Sequence, residues 1–263
     1  VAGVYRLGNW PAPFGIVLVA DRLATLMLLL TSILGAASVV FSLAVPATQA
    51  VAAPVVYAAL GDSFSAGVGT SNKVNSCYQS PEGYPVLVAR QKGWTLNYRA
   101  CSGAVVADVV NSQLPPVAST TGRVTVTAGG NDAGFAPALT ECAKPGWMSD
   151  CDGRLDQAAS VITNVLPGRL DDLYGRIRAR APQARVSALG YPRLFNGTDC
   201  SIITFFSPAE QARMNALTDT LDGLIRQKAL ARGVDFIDPR AAFAGHAWCS
   251  SSEWVNEIGR AHV

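Results

Sequence analysis

The stretch Val55–Gly67, VVYAALGDSFSAG, limits the fold more than any other part of the chain. A short, β-prone apolar run, Val55–Leu60, stops at Gly61; Asp62, Ser63 and, a few positions on, Gly67 follow. A buried strand that breaks at glycine and continues into small polar residues describes a strand feeding a tight turn, with one side chain presented at the tip. That side chain is Ser63, with Asp62 beside it.

From Ala53 onward, strand-like and helix-like segments alternate. The pattern predicts strands over Val55–Leu60, Leu96–Ala100, Arg123–Ala128, Arg185–Leu189 and Val234–Ile237. It predicts helices over Tyr84–Gln91, Ala104–Val110, Gln157–Ala181 with a break at Pro167-Gly168, and Pro208–Ala231. Ser207 stands as the N-cap of the last helix, with Pro208 at its first position. Cys142–Cys151 reads as a short polar loop. Strands alternating with helices at this spacing imply an α/β protein with a parallel sheet covered on both faces. In such folds the site lies outside the carboxyl ends of the strands. The residues there are Gly61-Asp62-Ser63, Ser102-Gly103, Gly129-Gly130-Asn131-Asp132 and Gly190-Tyr191, all small, polar or glycine-rich apart from the tyrosine.

A chain of 263 residues, 49% apolar and with a formal charge of +2, can bury one sizeable core and carries no dense basic patch for nucleic acid. Six cysteines, no C-x-x-C pair and only two histidines argue against zinc and for disulfides, hence for an oxidising compartment outside the cytosol. Sequential pairing is the simplest arrangement, although spacing alone does not choose among the pairings. No metal or organic cofactor is implied. A monomer is expected.

A serine becomes a nucleophile when a base takes its proton, and the oxyanion that then forms needs donors aimed at it. Ser63 supplies the oxygen and one backbone N–H, Gly103 a second N–H and the Asn131 amide a third donor. Gly61-Asp62-Ser63-Phe64-Ser65, Gly103 within Ala100–Ala104, and Gly129-Gly130-Asn131-Asp132 resemble, in order, the first three blocks of the SGNH or GDSL hydrolases. The likeness extends over residues 54–256 and is nearest to secreted, disulfide-containing actinobacterial esterases and lipases. It implies a flavodoxin-like three-layer α/β/α fold with a central parallel sheet. It also implies an acyl-enzyme on Ser63, an oxyanion hole at Gly103 and Asn131, and bridges Cys77–Cys101, Cys142–Cys151 and Cys200–Cys249. The substrate class implied is a small-molecule or lipid carboxylic ester. The G-x-S-x-G elbow of other hydrolases does not fit, because Ser65 stands where its second glycine would.

The family's base lies in a fourth block, D-x-x-H or S-x-x-H. Phe243 occupies the third position before His246, and Gly259 the third before His262. His246 is the remaining candidate base, but it reads rather as a loop histidine near Cys249. The tail Ile258–Val263 can be encoded by a string resembling a common sequencing adapter. The expectation is therefore that the fourth block is missing, that 257–263 is an artefactual tail, and that the chain as written is nearly inactive. A non-catalytic, membrane-tethered module of the same fold is the alternative. Asp62 and Asp132 read as structural, as does Asp238; Tyr191 and Phe195 are either pocket or core aromatics.

The first 45 residues differ from the rest. Leu23–Val45 is an uncharged apolar run near the length needed to cross a bilayer, and Ala50-Val51-Ala52 after it resembles a signal-peptidase site. A secretory signal, or an anchor giving membrane association through 14–45, is one reading. Residues 5–40 also resemble a segment of the D-type subunit of cation/proton antiporters, which implies that a foreign segment is joined to the hydrolase through a linker at 46–53.

Overall fold

In the computed structural model of the chain, residues 3–7, 16–20, 22–44, 54–70 and 72–255 are described. Two compact units, Val1–Ala53 and Pro54–Val263, divide it. In the first, β1 (Gly3–Leu7) pairs antiparallel with β2 (Ile16–Ala20), from Gly3↔Ala20 to Leu7↔Ile16, and α1 spans Arg22–Ala44. The apolar run Leu23–Val45 lies in α1 as far as Ala44, and the apolar residues 16–20 before it form β2. Among the described residues, no helix is long and apolar enough to cross a membrane. The described large side chains of α1, among them Leu26, Met27 and Leu34, are exposed. The proposed linker 46–53, His262 and the tail 257–263 lie outside the described residues.

The second unit holds a five-stranded, wholly parallel sheet. Its strands are β3 (Val56–Gly61), β4 (Thr95–Tyr98), β5 (Arg123–Thr127), β6 (Arg185–Leu189) and β7 (Asp235–Ile237), in the order β4-β3-β5-β6-β7. Chain order reverses between β3 and β5, which pair from Tyr57↔Arg123 to Gly61↔Thr127. That reversal is the doubly wound pattern of flavodoxin-like folds, and its switch point is where such sheets open a crevice.

Period-two alternation explains the layers. Ala58 and Leu60 of β3 point to one face with Val124, Val126, Val186 and Ala188. Two long helices cover that face: α7 (Leu166–Arg180) through Leu166, Leu170, Leu173 and Ile177, and α8 (Pro208–Ala231) through Leu221, Ile225 and Ala229. Tyr57 and Ala59 point the other way, onto Ala89 of α3 (Tyr84–Lys92) and Trp94. A smaller cluster of Leu155, Phe195, Phe206, Met214 and Trp248 lies beside the main core. Phe195 is therefore a core aromatic.

Several boundaries differ from the expected ones. Helix α6 begins at Cys151 and ends at Asn164, and α7 follows directly, so the break falls at Val165 rather than at Pro167-Gly168. Pro167 sits in the first turn of α7, where its missing N–H has no partner to lose. The expected helix 104–110 shrinks to a turn, α4 (Val106–Asp108), which continues as a wider helical turn over Val109–Gln113. Helix α5 (Phe135–Cys142) was not expected. Three disulfides are present, Cys77–Cys101, Cys142–Cys151 and Cys200–Cys249, the same pairs that the resemblance implies.

Candidate active site

The carboxyl end of β3 turns sharply because Gly61 adopts φ +119°, and a Cβ there would collide with the Thr127 carbonyl. The buried Gln113 side chain completes the turn. Its Oε1 accepts from Gly61 N at 2.7 Å and its Nε2 donates to Gly61 O at 2.9 Å, replacing a strand partner. Ser63 then opens a short helix, α2 (Ser63–Ala66), as its first residue, with Asp62 as N-cap accepting from Phe64 N at 3.1 Å. First-turn N–H groups have no intrahelical acceptor, so the Ser63 N–H is free of the helix ladder. The Ser63 side chain is half-buried, and no side chain among the described residues hydrogen-bonds its hydroxyl.

Asp62 is only 2% exposed. Its carboxylate also accepts from the Thr127 hydroxyl at 2.7 Å and from the Tyr191 hydroxyl at 2.5 Å. Burial raises its pKa to about 6, and the donors from Tyr191, Thr127 and Phe64 hold it back from rising further. Burial also raises the Tyr191 phenol well above its usual value, with the nearby Asp62 charge adding to the shift. Asp62 thus organises the turn that presents Ser63.

Hydrogen bonds tie the second and third strand ends to the first. Cys101 N donates to Gly61 O at 2.9 Å, and Cys101 is bridged to Cys77. Two residues on, Gly103 is exposed at φ +79°, a left-handed conformation that suits glycine. Asn131 Nδ2 donates to Ala104 O at 2.9 Å, which leaves its second amide hydrogen for another acceptor. Asp132 accepts from Val106 N at 2.8 Å and pairs with Arg169, holding the same two loops together. Gly130 N donates to the Tyr191 hydroxyl at 3.2 Å. Ser63, Gly103 and Asn131 therefore stand on three loops joined to one another by hydrogen bonds, one between backbones and the others through the Asn131 and Asp132 side chains.

His246 is placed differently. Its Nδ1 lies 2.6 Å from Ser252 O, and its ring stacks on Trp254 at 3.7 Å between centroids. No hydrogen bond joins it to Ser63. Asp238 is occupied by Arg240, whose N donates to it at 3.0 Å and whose guanidinium pairs with it. Among the described residues, the clusters with metal-like spacing, Cys142-Cys151-Glu210 and Cys200-Cys249-Glu253, each contain a disulfide, whose sulfurs are not free thiolates. Sequence reasoning missed Gln113 as a site residue and left the part played by Tyr191 open.

A flavodoxin-like sheet with an N-capped serine turn at its switch point, flanked by G-and-N loops, defines an SGNH-type hydrolase, and the chain belongs to the GDSL-like lipase/acylhydrolase family, whose profile matches residues 59–257. It is a carboxylic ester hydrolase of the lipase/esterase kind. A lipase of Streptomyces rimosus is 40% identical over 221 residues, 81% of each chain, and lipase 1 of Streptomyces coelicolor is 39% identical over 207 residues, 77% of this chain and 76% of that one. The crystal structure of phospholipase A1 from Streptomyces albidoflavus superposes with a TM-score of 0.72 at 38% identity, covering 77% of this chain and 86% of that one. The structure of the extracellular lipase of S. rimosus gives the same score and identity over 78% and 88%. A separate 43-residue match, 67% identical, covers 16% of this chain and 8% of a Rhizobium meliloti protein named as a probable D-type subunit of a K(+)/H(+) antiporter.

Proposed function

We propose that the chain is a secreted serine esterase or lipase that hydrolyses carboxylic esters, lipid esters included, through an acyl-enzyme on Ser63. Ser63 Oγ attacks the ester carbonyl carbon as a general base takes its proton. The Ser63 N–H, the Gly103 N–H and Asn131 Nδ2 stabilise the oxyanion, and the alcohol leaves as the C–O bond breaks. Water then attacks the acyl-enzyme and releases the acid. One observation carries the reading: the serine turn and the two donor loops are joined through Gly61 O with Cys101 N and Ala104 O with Asn131 Nδ2. Secretion is supported by three disulfides, which persist in oxidising compartments, and by the likeness to an extracellular lipase.

Among the described residues no general base is assigned, because His246 makes no hydrogen bond to Ser63 and its ring is held by Ser252 and Trp254. Hydrolysis of p-nitrophenyl butyrate is expected to be slow, to be lost in Ser63→Ala and to be unchanged in His246→Ala. Full turnover that disappears in His246→Ala makes His246 the base and overturns that assignment. Equal turnover in Ser63→Ala overturns the nucleophile.

A further inference from the structure

We propose that Tyr191 is a positioning residue for the ester hydrolysis, its phenol hydroxyl fixing the Ser63 turn against the Asn131 turn. The proposal rests on the roles assigned to those two residues above. Strands β3 and β5 stay in register as far as Gly61↔Thr127, and beyond that point their turns part. The Tyr191 hydroxyl spans the gap: it donates to Asp62 Oδ2 at 2.5 Å and accepts from Gly130 N at 3.2 Å. Asp62 precedes the nucleophile, and Gly130 precedes the oxyanion donor. One hydroxyl thus touches the immediate neighbour of each reacting group while touching neither group itself.

Tyr191 is held at both ends. Its N–H donates to Asp222 Oδ1 at 2.8 Å, and its ring meets Phe64 edge-on at 5.1 Å. It is 7% exposed, so water does not readily take over its two hydrogen bonds. The titratable groups facing Asp62 are Tyr191 from the loop after β6 and Tyr84 from α3, and no cation pairs with Asp62 among the described residues. The carboxylate is therefore held by hydrogen-bond donors alone, one of which is the phenol. A tyrosine retained only for packing needs its ring; a positioning tyrosine needs its oxygen.

Tyr191→Phe in the full chain separates the two. The reaction to follow is diethyl p-nitrophenyl phosphate with Ser63, in which the Oγ–P bond forms, p-nitrophenolate leaves and the serine proton passes to imidazole buffer. Mass spectrometry locates the adduct, and concentration dependence separates the maximal rate from the apparent affinity. A misplaced reacting group slows chemistry by up to about a hundredfold. Tyr191→Phe is expected to lower the maximal rate by about tenfold to a hundredfold with the apparent affinity unchanged, and to speed hydrogen exchange at the Gly130 amide. In the double variant with Asp62→Asn the losses are expected to be less than additive, since both act through one contact. An unchanged maximal rate, or a loss confined to affinity, overturns the positioning role while leaving Ser63 as nucleophile. A wild-type chain that acquires no adduct on Ser63 overturns the nucleophile and the positioning role together. Should Tyr191→Phe fail to fold, Asp62→Asn alone is expected to lose maximal rate, and an unchanged rate there overturns the proposal.

Discussion

At the scale of single residues, the turn that presents Ser63 depends on a side chain far away in sequence. Gln113 accepts from Gly61 N and adds a second donor to Gly61 O beside Cys101 N, across a separation of 52 residues. It can do so because the wide turn over Val109–Gln113, closed by Leu114 N to Val109 O at 2.9 Å, carries the amide under the end of β3. Leaving one buried backbone group unsatisfied costs about 1–3 kcal/mol. Gln113→Leu removes the side-chain acceptor of the Gly61 N–H, while Gly61 O keeps its donor at Cys101 N, and the variant is expected to destabilise the fold by about 1–3 kcal/mol, read as a lowered urea midpoint. Nothing local in the sequence announces Gln113 or the part played by Tyr191, since a contact across 129 residues leaves no period and no cap. Ser63, Gly103 and Asn131 could be singled out as candidates because each follows a strand within a run of small residues.

At the scale of elements, boundaries were readable where a cap or a uniform run of β-formers marks them. Helix α8 begins at Pro208 as expected, because Ser207 Oγ accepts from Glu210 N at 3.2 Å while the Glu210 carboxylate accepts from Ser207 N at 2.8 Å. Ser207→Ala removes one half of this reciprocal cap and is expected to cost about 1 kcal/mol, again as a shift in urea midpoint. Strand β5 lies within the expected Arg123–Ala128 because its alternating Val and Thr are β-formers, and β6 matches Arg185–Leu189, closed by Gly190. Helix α5 was missed because Pro137 reads as a breaker, yet it is the third helical residue, where no intrahelical N–H bond is lost. The early start of α6 comes from Asp150, whose carboxylate accepts from Gly153 N at 3.3 Å, a cap hidden inside what reads as a cysteine-closed loop.

At the scale of the whole molecule, the fold class followed from strand–helix alternation, and the sheet order turns that alternation into one crevice. Burying carboxylates around the crevice has a cost that depends on pH. Asp222 is fully buried, one of its oxygens accepts no hydrogen bond, and Arg240 Nε stands 3.5 Å off; burial raises its pKa to about 7. A raised folded-state value means that the native chain keeps a proton the unfolded chain releases at about 3.9. This group's contribution is therefore full below about pH 4 and is lost as pH rises through about 7. Asp222→Asn keeps an acceptor for Tyr191 N, so the variant's urea midpoint is expected to fall less between pH 4.5 and 7.5 than the wild type's. An equal fall in both would assign the pH dependence elsewhere. The bridge Cys77–Cys101 has a practical side. Its second cysteine is bonded to Gly61 and stands two residues before Gly103. A chain translated where thiols stay reduced can build its sheet while the loop carrying that glycine is left unfastened. The yield of competent protein from a recombinant host should thus follow the redox state of the compartment in which folding finishes more closely than it follows expression level.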